Sequence, residues 1–127
     1  MTAPAITPRC TDLLGDGHEP ADLIVFNPPW IQGSPTSPLD RALYFGPDLL
    51  PRFFAQAADR LAPGGRIVLV FSNVLRLLTP DAPHPIEAEL ERGRLTLDEK
   101  LHRKAKRAGG RRTREKVEVW VLAKAST

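Results

Sequence analysis

The spacing of apolar residues along the chain predicts a short series of strands and helices. Residues 22–26, Asp-Leu-Ile-Val-Phe, form a run rich in β-branched and aromatic side chains, which predicts a buried parallel strand. Residues 48–61 place Leu50, Phe53, Phe54, Ala57, Ala58 and Leu61 three to four apart, the stripe of a helix with one core-facing side. Asp48 suits its N-cap and Pro51 its first turn. Gly64 and Gly65 are expected to end that helix, and residues 66–71 to continue as a second buried strand. A strand, a crossover helix and a parallel strand make a right-handed unit. Residues 117–123 set Val117, Val119 and Val121 against Glu118, Trp120 and Leu122, a strand pattern.

The remaining segments carry weaker signals. Residues 6–14 form a short strand candidate leading into a turn at 15–20. Residues 30–48 read as a loop punctuated by Gly33, Pro35, Pro38 and Pro47, with one helical turn at 39–44. A loop of that length inside a compact domain is commonly a binding loop. Residues 74–78 start a short helix or turn that the prolines at 80, 83 and 85 break, and 86–92 form a further helix candidate. Residues 95–107 admit two readings. Leu95, Leu97, Glu99 and Leu101 alternate as in a strand, whereas Leu90, Leu97, Leu101 and Lys104 also share a helical face.

A chain of 127 residues suits one domain, and 42% hydrophobic with 26% charged residues is ordinary for a globular protein. The 13 prolines cluster at turns, which argues for rigid loops. Cys10 stands alone, excluding an internal disulfide or a cysteine-rich metal site. His18 with Glu19 reads as a surface pair, and neither His84 nor His102 belongs to a ligand set, so no metal site is expected. No apolar stretch approaches the ~20 residues of a membrane span, and a cytoplasmic location is the expectation. Charge is unevenly placed. Residues 100–116 hold nine Lys or Arg against one acid, Glu115, a net of +8 in a chain whose overall charge is +3. Such a segment is either a solvated hairpin tip or a surface for nucleic acid, whose phosphates release counterions to Lys and Arg.

The first strand ends in Asn27-Pro28-Pro29-Trp30. The two prolines lack backbone N–H groups, fix their own φ and hold Asn27 extended. The corner therefore offers one amide side chain, bare carbonyls and an indole. In open α/β sheets ligands sit at the carboxyl ends of strands. The stereochemistry suits a planar group bearing an NH2.

A strand followed by Asn-Pro-Pro-aromatic resembles the catalytic motif of class I S-adenosylmethionine-dependent methyltransferases that methylate amino nitrogens. The resemblance covers most of the chain, from about residue 7 onward. Thr11-Asp12-Leu13-Leu14 is similar to the segment near the cofactor's adenine, Leu61-Ala62-Pro63-Gly64-Gly65-Arg66 to the family's Pro-Gly-Gly turn, and 117–123 to its last antiparallel strand. It implies an α/β, partial Rossmann-like sheet, mostly parallel with a C-terminal antiparallel strand. It implies S-adenosylmethionine as cofactor, Asn27 and Pro28 as catalytic acceptors, Pro29, Trp30 and Tyr44 against the substrate, and Asp12, Leu13 and Asn27 against the cofactor. The substrate would be an amino group on a protein glutamine, RNA, DNA or a small molecule. The family's glycine-rich loop has no counterpart here, because Gly15-Asp16-Gly17 and Gly109-Gly110 do not follow apolar strands. Residues 1–127 are accordingly expected to be the C-terminal portion of a methyltransferase domain, inactive alone. The competing expectation is a non-catalytic RNA-binding remnant or a partner subunit of a split enzyme. The resemblance also implies a strand order of 22–26, 66–71, 117–123, then 95 onward, with 117–123 antiparallel to the rest. Residues 22–26 would then form an open edge unless 6–11 cover it, leaving a free chain poorly soluble or oligomeric.

Overall fold

The computed structural model describes residues 5–15, 17, 19–29, 31–32, 44–46, 48–104 and 115–125. Their elements run β1 (Ala21–Phe26), β2 (Ile31–Gln32), β3 (Tyr44–Phe45), α1 (Leu49–Arg60), β4 (Leu61–Ser72), α2 (Val74–Leu78), α3 (Pro85–Glu91), β5 (Leu95–Lys104) and β6 (Lys116–Lys124). The main sheet has the order β1-β4-β6-β5, with β1 parallel to β4 and β6 antiparallel to both β4 and β5. This is the order and polarity the resemblance implies. Three strands point one way and β6 the other, so the fold is mixed α/β with a single parallel pair among the four main strands. A separate two-stranded parallel bridge joins β2 to β3.

Helix α1 forms because its stripe has somewhere to go. Leu50, Phe53, Phe54 and Ala57 are buried in one cluster with Ile24 of β1, Ile67, Leu69 and Phe71 of β4, and Trp120 and Leu122 of β6. Each large side chain so buried is worth roughly 1.5–3 kcal/mol relative to exposure. Asp48 occupies the N-cap position, but its side chain makes no cap hydrogen bond. The helix ends at Arg60, not at the glycines. The chain turns extended at Leu61, which pairs with Ala21, and resumes pairing at Arg66 with Leu23. Residues 62–65 thus loop out as a bulge within β4. Gly64 supplies the left-handed conformation there, with φ +79°. Gly65 permits a close approach, since a Cβ on it would lie 3.0 Å from the Ala21 carbonyl oxygen.

Helix α3 begins on His84, whose Nδ1 accepts the Ile86 N–H at 3.2 Å, with Pro85 inside the first turn. Its buried Glu89 is held by Arg94 at 2.6 Å, across the turn into β5. The two readings of residues 95–107 resolve as strand over Leu95–Lys104.

Three expectations need correction. Residues 6–11 form no strand: they are irregular and exposed, Cys10 included, and leave the β1 edge without a second partner among the described residues. Pro8 denies this segment a ladder donor, and its few apolar residues find no core. The strand at 22–26 is buried on one side only, since Ile24 is enclosed while Leu23 and Val25 are 60% and 62% exposed. Tyr44 belongs to β3 rather than to a helical turn; the rest of that turn, residues 39–43, and Gly109-Gly110 lie outside the described residues. No helix among the described residues is long and apolar enough to cross a membrane.

Candidate functional site

The last ladder pair of β1 is Phe26 with Leu69. The Phe26 ring packs on Phe53 of α1 at a centroid distance of 4.2 Å, fixing the end of the strand against the first half of the helix. The next residue, Asn27, is exposed, and its amide makes no hydrogen bond with the described residues. Pro28 is buried and Pro29 half-buried. A buried proline thus follows an exposed amide that has no partner among the described residues. An amide oxygen and a proline carbonyl are both acceptors, and proline has no N–H to donate.

Other residues assigned to the site are placed less closely. Trp30 lies outside the described residues, as does the Tyr44 side chain; the Tyr44 backbone pairs with Ile31, which brings the two ends of the intervening loop together. Helix α2 lies against β2, so β2, β3 and α2 stand at the same carboxyl end as Asn27. Asp12 forms an exposed ion pair with Arg52 of α1. Leu13 adopts φ 55°, an unusual conformation for a branched residue, and Leu14 is bound on both backbone groups. Its N–H donates to Gln56 Oε1 at 3.0 Å, and its carbonyl accepts from Arg60 Nη1 at 2.7 Å. This turn is thus clamped onto α1. No hydrogen bond or ion pair among the described residues joins Asp12 or Leu13 to Asn27.

These residues do not make up a cradle for S-adenosylmethionine. A nucleoside cofactor needs glycine backbone it can approach closely. Gly15 folds back on Thr11, and Gly65 gives its close approach to the Ala21 carbonyl at the amino end of the sheet. The Asp12 carboxylate is already paired.

Sequence reasoning missed a brace on the same rim. The Lys116 N–H donates to Asn73 Oδ1 at 2.7 Å, and the Asn73 N–H donates back to the Lys116 carbonyl at 3.0 Å. Ser72 Oγ donates to Glu115 Oε1 at 3.0 Å and accepts the Val74 N–H at 3.0 Å. Together they pin the start of β6 to the end of β4. Ser72-Asn73 after an apolar strand signalled only a strand end; its long-range partner could not be read locally.

The His84 ring stacks on Trp120 at 5.3 Å and meets the edge of Phe71 at 5.6 Å. Burial, with the Arg76 charge adding to it, lowers its pKa below the ordinary histidine value, while Glu87 and Glu118 pull the other way. Its Nδ1 is committed as a cap acceptor, so it serves the fold. His18 lies outside the described residues, and His102 is exposed on β5. No group of metal-ligating side chains occurs among the described residues. A shallow cleft lined by Ala55, Ala58, Asp59, Arg94 and Lys124 lies at the opposite end of the sheet from Asn27.

No protein-family model matches the chain, and no curated protein does. Among solved structures it is similar to the crystal structure of the M1.HpyAVI–SAM complex, with 16% sequence identity and a TM-score of 0.48 over 87% of this chain. The matched region is 48% of that chain, so the present sequence spans about half the length of the structure it matches.

Proposed function

We propose that the chain is the substrate-facing, C-terminal portion of an S-adenosylmethionine-dependent N-methyltransferase. The observation that carries this reading is Asn27, exposed and without a partner among the described residues, one residue past the last ladder pair of a parallel strand and backed by buried Pro28. The NH2 of an amide or nucleobase is a poor nucleophile because its lone pair is delocalised. Asn27 Oδ1 and the Pro28 carbonyl would each accept one of its hydrogens, localising the lone pair and countering the positive charge that grows on nitrogen. Pro29, Trp30 and Tyr44 would bound the planar group. The cofactor's cradle would come from polypeptide other than these residues, with Asp12 and Leu13 at most bordering it.

The test uses the polypeptide as its host expresses it, with tritiated S-adenosylmethionine. Asn27→Ala should lower saturated turnover by about 10²–10³ with cofactor affinity nearly unchanged. Equal turnover would remove Asn27 from the mechanism. The 127 residues alone should show no micromolar binding of S-adenosylmethionine by calorimetry; such binding would overturn the claim that the cradle lies elsewhere. The pairing of Asp12 with Arg52 also favours a second reading, a partner subunit without catalysis of its own. Methyl transfer that appears only with a second chain and survives Asn27→Ala would select it.

A further inference from the structure

The sheet places the two ends of the basic segment, Arg103 and Lys104 on β5 and Lys116 on β6, at the rim that carries Asn27. Phe26, Leu69, Trp120 and Lys100 share one row across the four strands, and three residues further along lies the row Ser72, Val117 and Arg103. Asn27 is one residue beyond the first row. Arg103 is therefore two residues higher and three strands across. At ~4.8 Å between strands and ~3.3 Å per residue, the separation is on the order of 15 Å. Stacked nucleotides rise ~3.4 Å each, so the two points are roughly four to five nucleotides apart.

Charge on this ribbon is sorted. Its acids are engaged or sit low: Glu115, at the rim, accepts from Ser72 Oγ at 3.0 Å, and Glu118 is buried, accepting from Trp120 Nε1 and pairing with Lys100 at 3.2 Å. Asp98 pairs with Arg66, and Glu99 lies four residues before Arg103. Arg103, Lys104 and Lys116, at the carboxyl end, form no ion pair with any described residue. The sequence between Lys104 and Glu115 adds Lys106, Arg107, Arg111, Arg112 and Arg114. Three cations without an ion pair among the described residues, with only the Glu115 carboxylate beside them, cost electrostatic self-repulsion that an apolar or acidic partner strand would not impose.

We propose that the carboxyl end of the β5–β6 ribbon binds the phosphodiester backbone of a single nucleic-acid strand, with Arg103, Lys104 and Lys116 as phosphate contacts, and presents a base to Asn27. The inference rests on the methyltransferase reading for the base and on the ribbon alone for the backbone. A single strand is the favoured form because its base amino group has only to leave its stack to reach a strand-end corner, whereas a duplex base must be unpaired as well. Trp120 lies beneath Lys100, 4.1 Å from the ammonium to the ring centroid, and is buried, so the described ribbon offers no stacking platform. Binding is therefore phosphate-dominated and strongly salt-dependent.

The test is fluorescence anisotropy of the whole chain with labelled single-stranded DNA, single-stranded RNA of the same sequence, the DNA duplex, and poly-glutamate as an acidic polypeptide. Either single strand should bind at low salt and more tightly than poly-glutamate. The triple exchange Arg103→Glu, Lys104→Glu, Lys116→Glu should weaken binding roughly tenfold or more and flatten the plot of log affinity against log salt by about 2, at ~0.7 per lost phosphate contact. Arg103→Gln, an exchange at an exposed position, tests the same idea if the triple variant loses its circular dichroism, and should flatten the plot by roughly 0.7. Unchanged affinity and slope in Arg103→Gln and in a folded triple variant, or equal binding of poly-glutamate, would overturn the proposal. Asn27→Ala should leave the salt slope of strand binding intact, because Asn27 touches no phosphate. Loss of strand binding with retained methyl transfer to a protein would sink the ribbon alone; intact strand binding with unaltered turnover in Asn27→Ala would sink the methyltransferase reading alone.

Discussion

Strand β4 has two sides with different fates. Toward the helices it presents Ile67, Leu69 and Phe71, all fully buried under α1 and α3. Toward the other side it presents Val68 and Val70, half-buried, flanked by Val119 and Val121 of β6 and by the exposed Leu23 and Val25 of β1. Both sides are apolar, but among the described residues only one has a layer packed on it. Domains are normally built from packed layers around a core, and an open apolar sheet face is an exception to that rule. The difference teaches that side-chain chemistry alone did not choose which face is covered. The helices did, because their own stripes had to be buried and the crossover from β1 to β4 laid α1 on one side.

The widest expected contrast sets Phe54→Ala against Val25→Ala. Phe54 is wholly enclosed, so truncation should cost about 3–5 kcal/mol in urea unfolding, whereas Val25→Ala should stay within about 0.5 kcal/mol. Similar losses would mean that the open face is covered in solution. Gly65→Ala sharpens the same comparison at the edge of the covered layer. Its new Cβ would stand 2.8 Å from Leu61 Cδ1 and 2.9 Å from the Ala62 carbonyl oxygen, and overpacking of this kind costs about 1–3 kcal/mol, readable as a lowered Tm.

The covered side also holds a titrating group. Because burial, and then Arg76, lower the His84 pKa, the unfolded chain binds the proton more readily than the folded one. Stability from this residue is full above its unfolded pKa of about 6.5 and falls as pH drops through the depressed folded value. Unfolding midpoints of the parent and His84→Asn, followed from pH 8 to 4, should converge on acidification; parallel curves would show that His84 is hydrated. The smallest stability effect is expected from Leu23→Lys with Val25→Lys, within about 0.5 kcal/mol. Its readout is sedimentation: the parent should self-associate and the double variant should not. A parent that sediments as a monomer would contradict the view of this face as an unmet surface.

Much of this architecture was legible because periodicity reports on burial. The α1 stripe, the β1 run and the alternation in β6 each identified their elements, and the strand order followed from the family resemblance rather than from spacing. Long-range partners were not legible. Nothing near Asp12 announces Arg52, and nothing in Ser72-Asn73 announces Glu115 and Lys116. The helix end was misread because Pro-Gly-Gly is a turn signal in any context, and here it makes a bulge inside a strand. At the corner, the sequence specified Asn27 at the strand end, whereas the place of Asp12 and Leu13 relative to it depends on long-range contacts that local sequence does not encode.

That bulge separates two lengths that are usually tied together. Pro63 and Gly64 are exposed, and the space around a Gly64 Cβ is empty to 4 Å. Pairing is restored by Arg66, and every row from there to Ser72 is continuous with β6. Residues added between Pro63 and Gly64 would lengthen the chain outward, at the end of the sheet remote from Asn27, without shifting a single row. The strand works as a ruler with its slack gathered at one end, so a fluorophore or affinity tag placed there would report on the molecule while the distance from Asn27 to Arg103 stayed as it is.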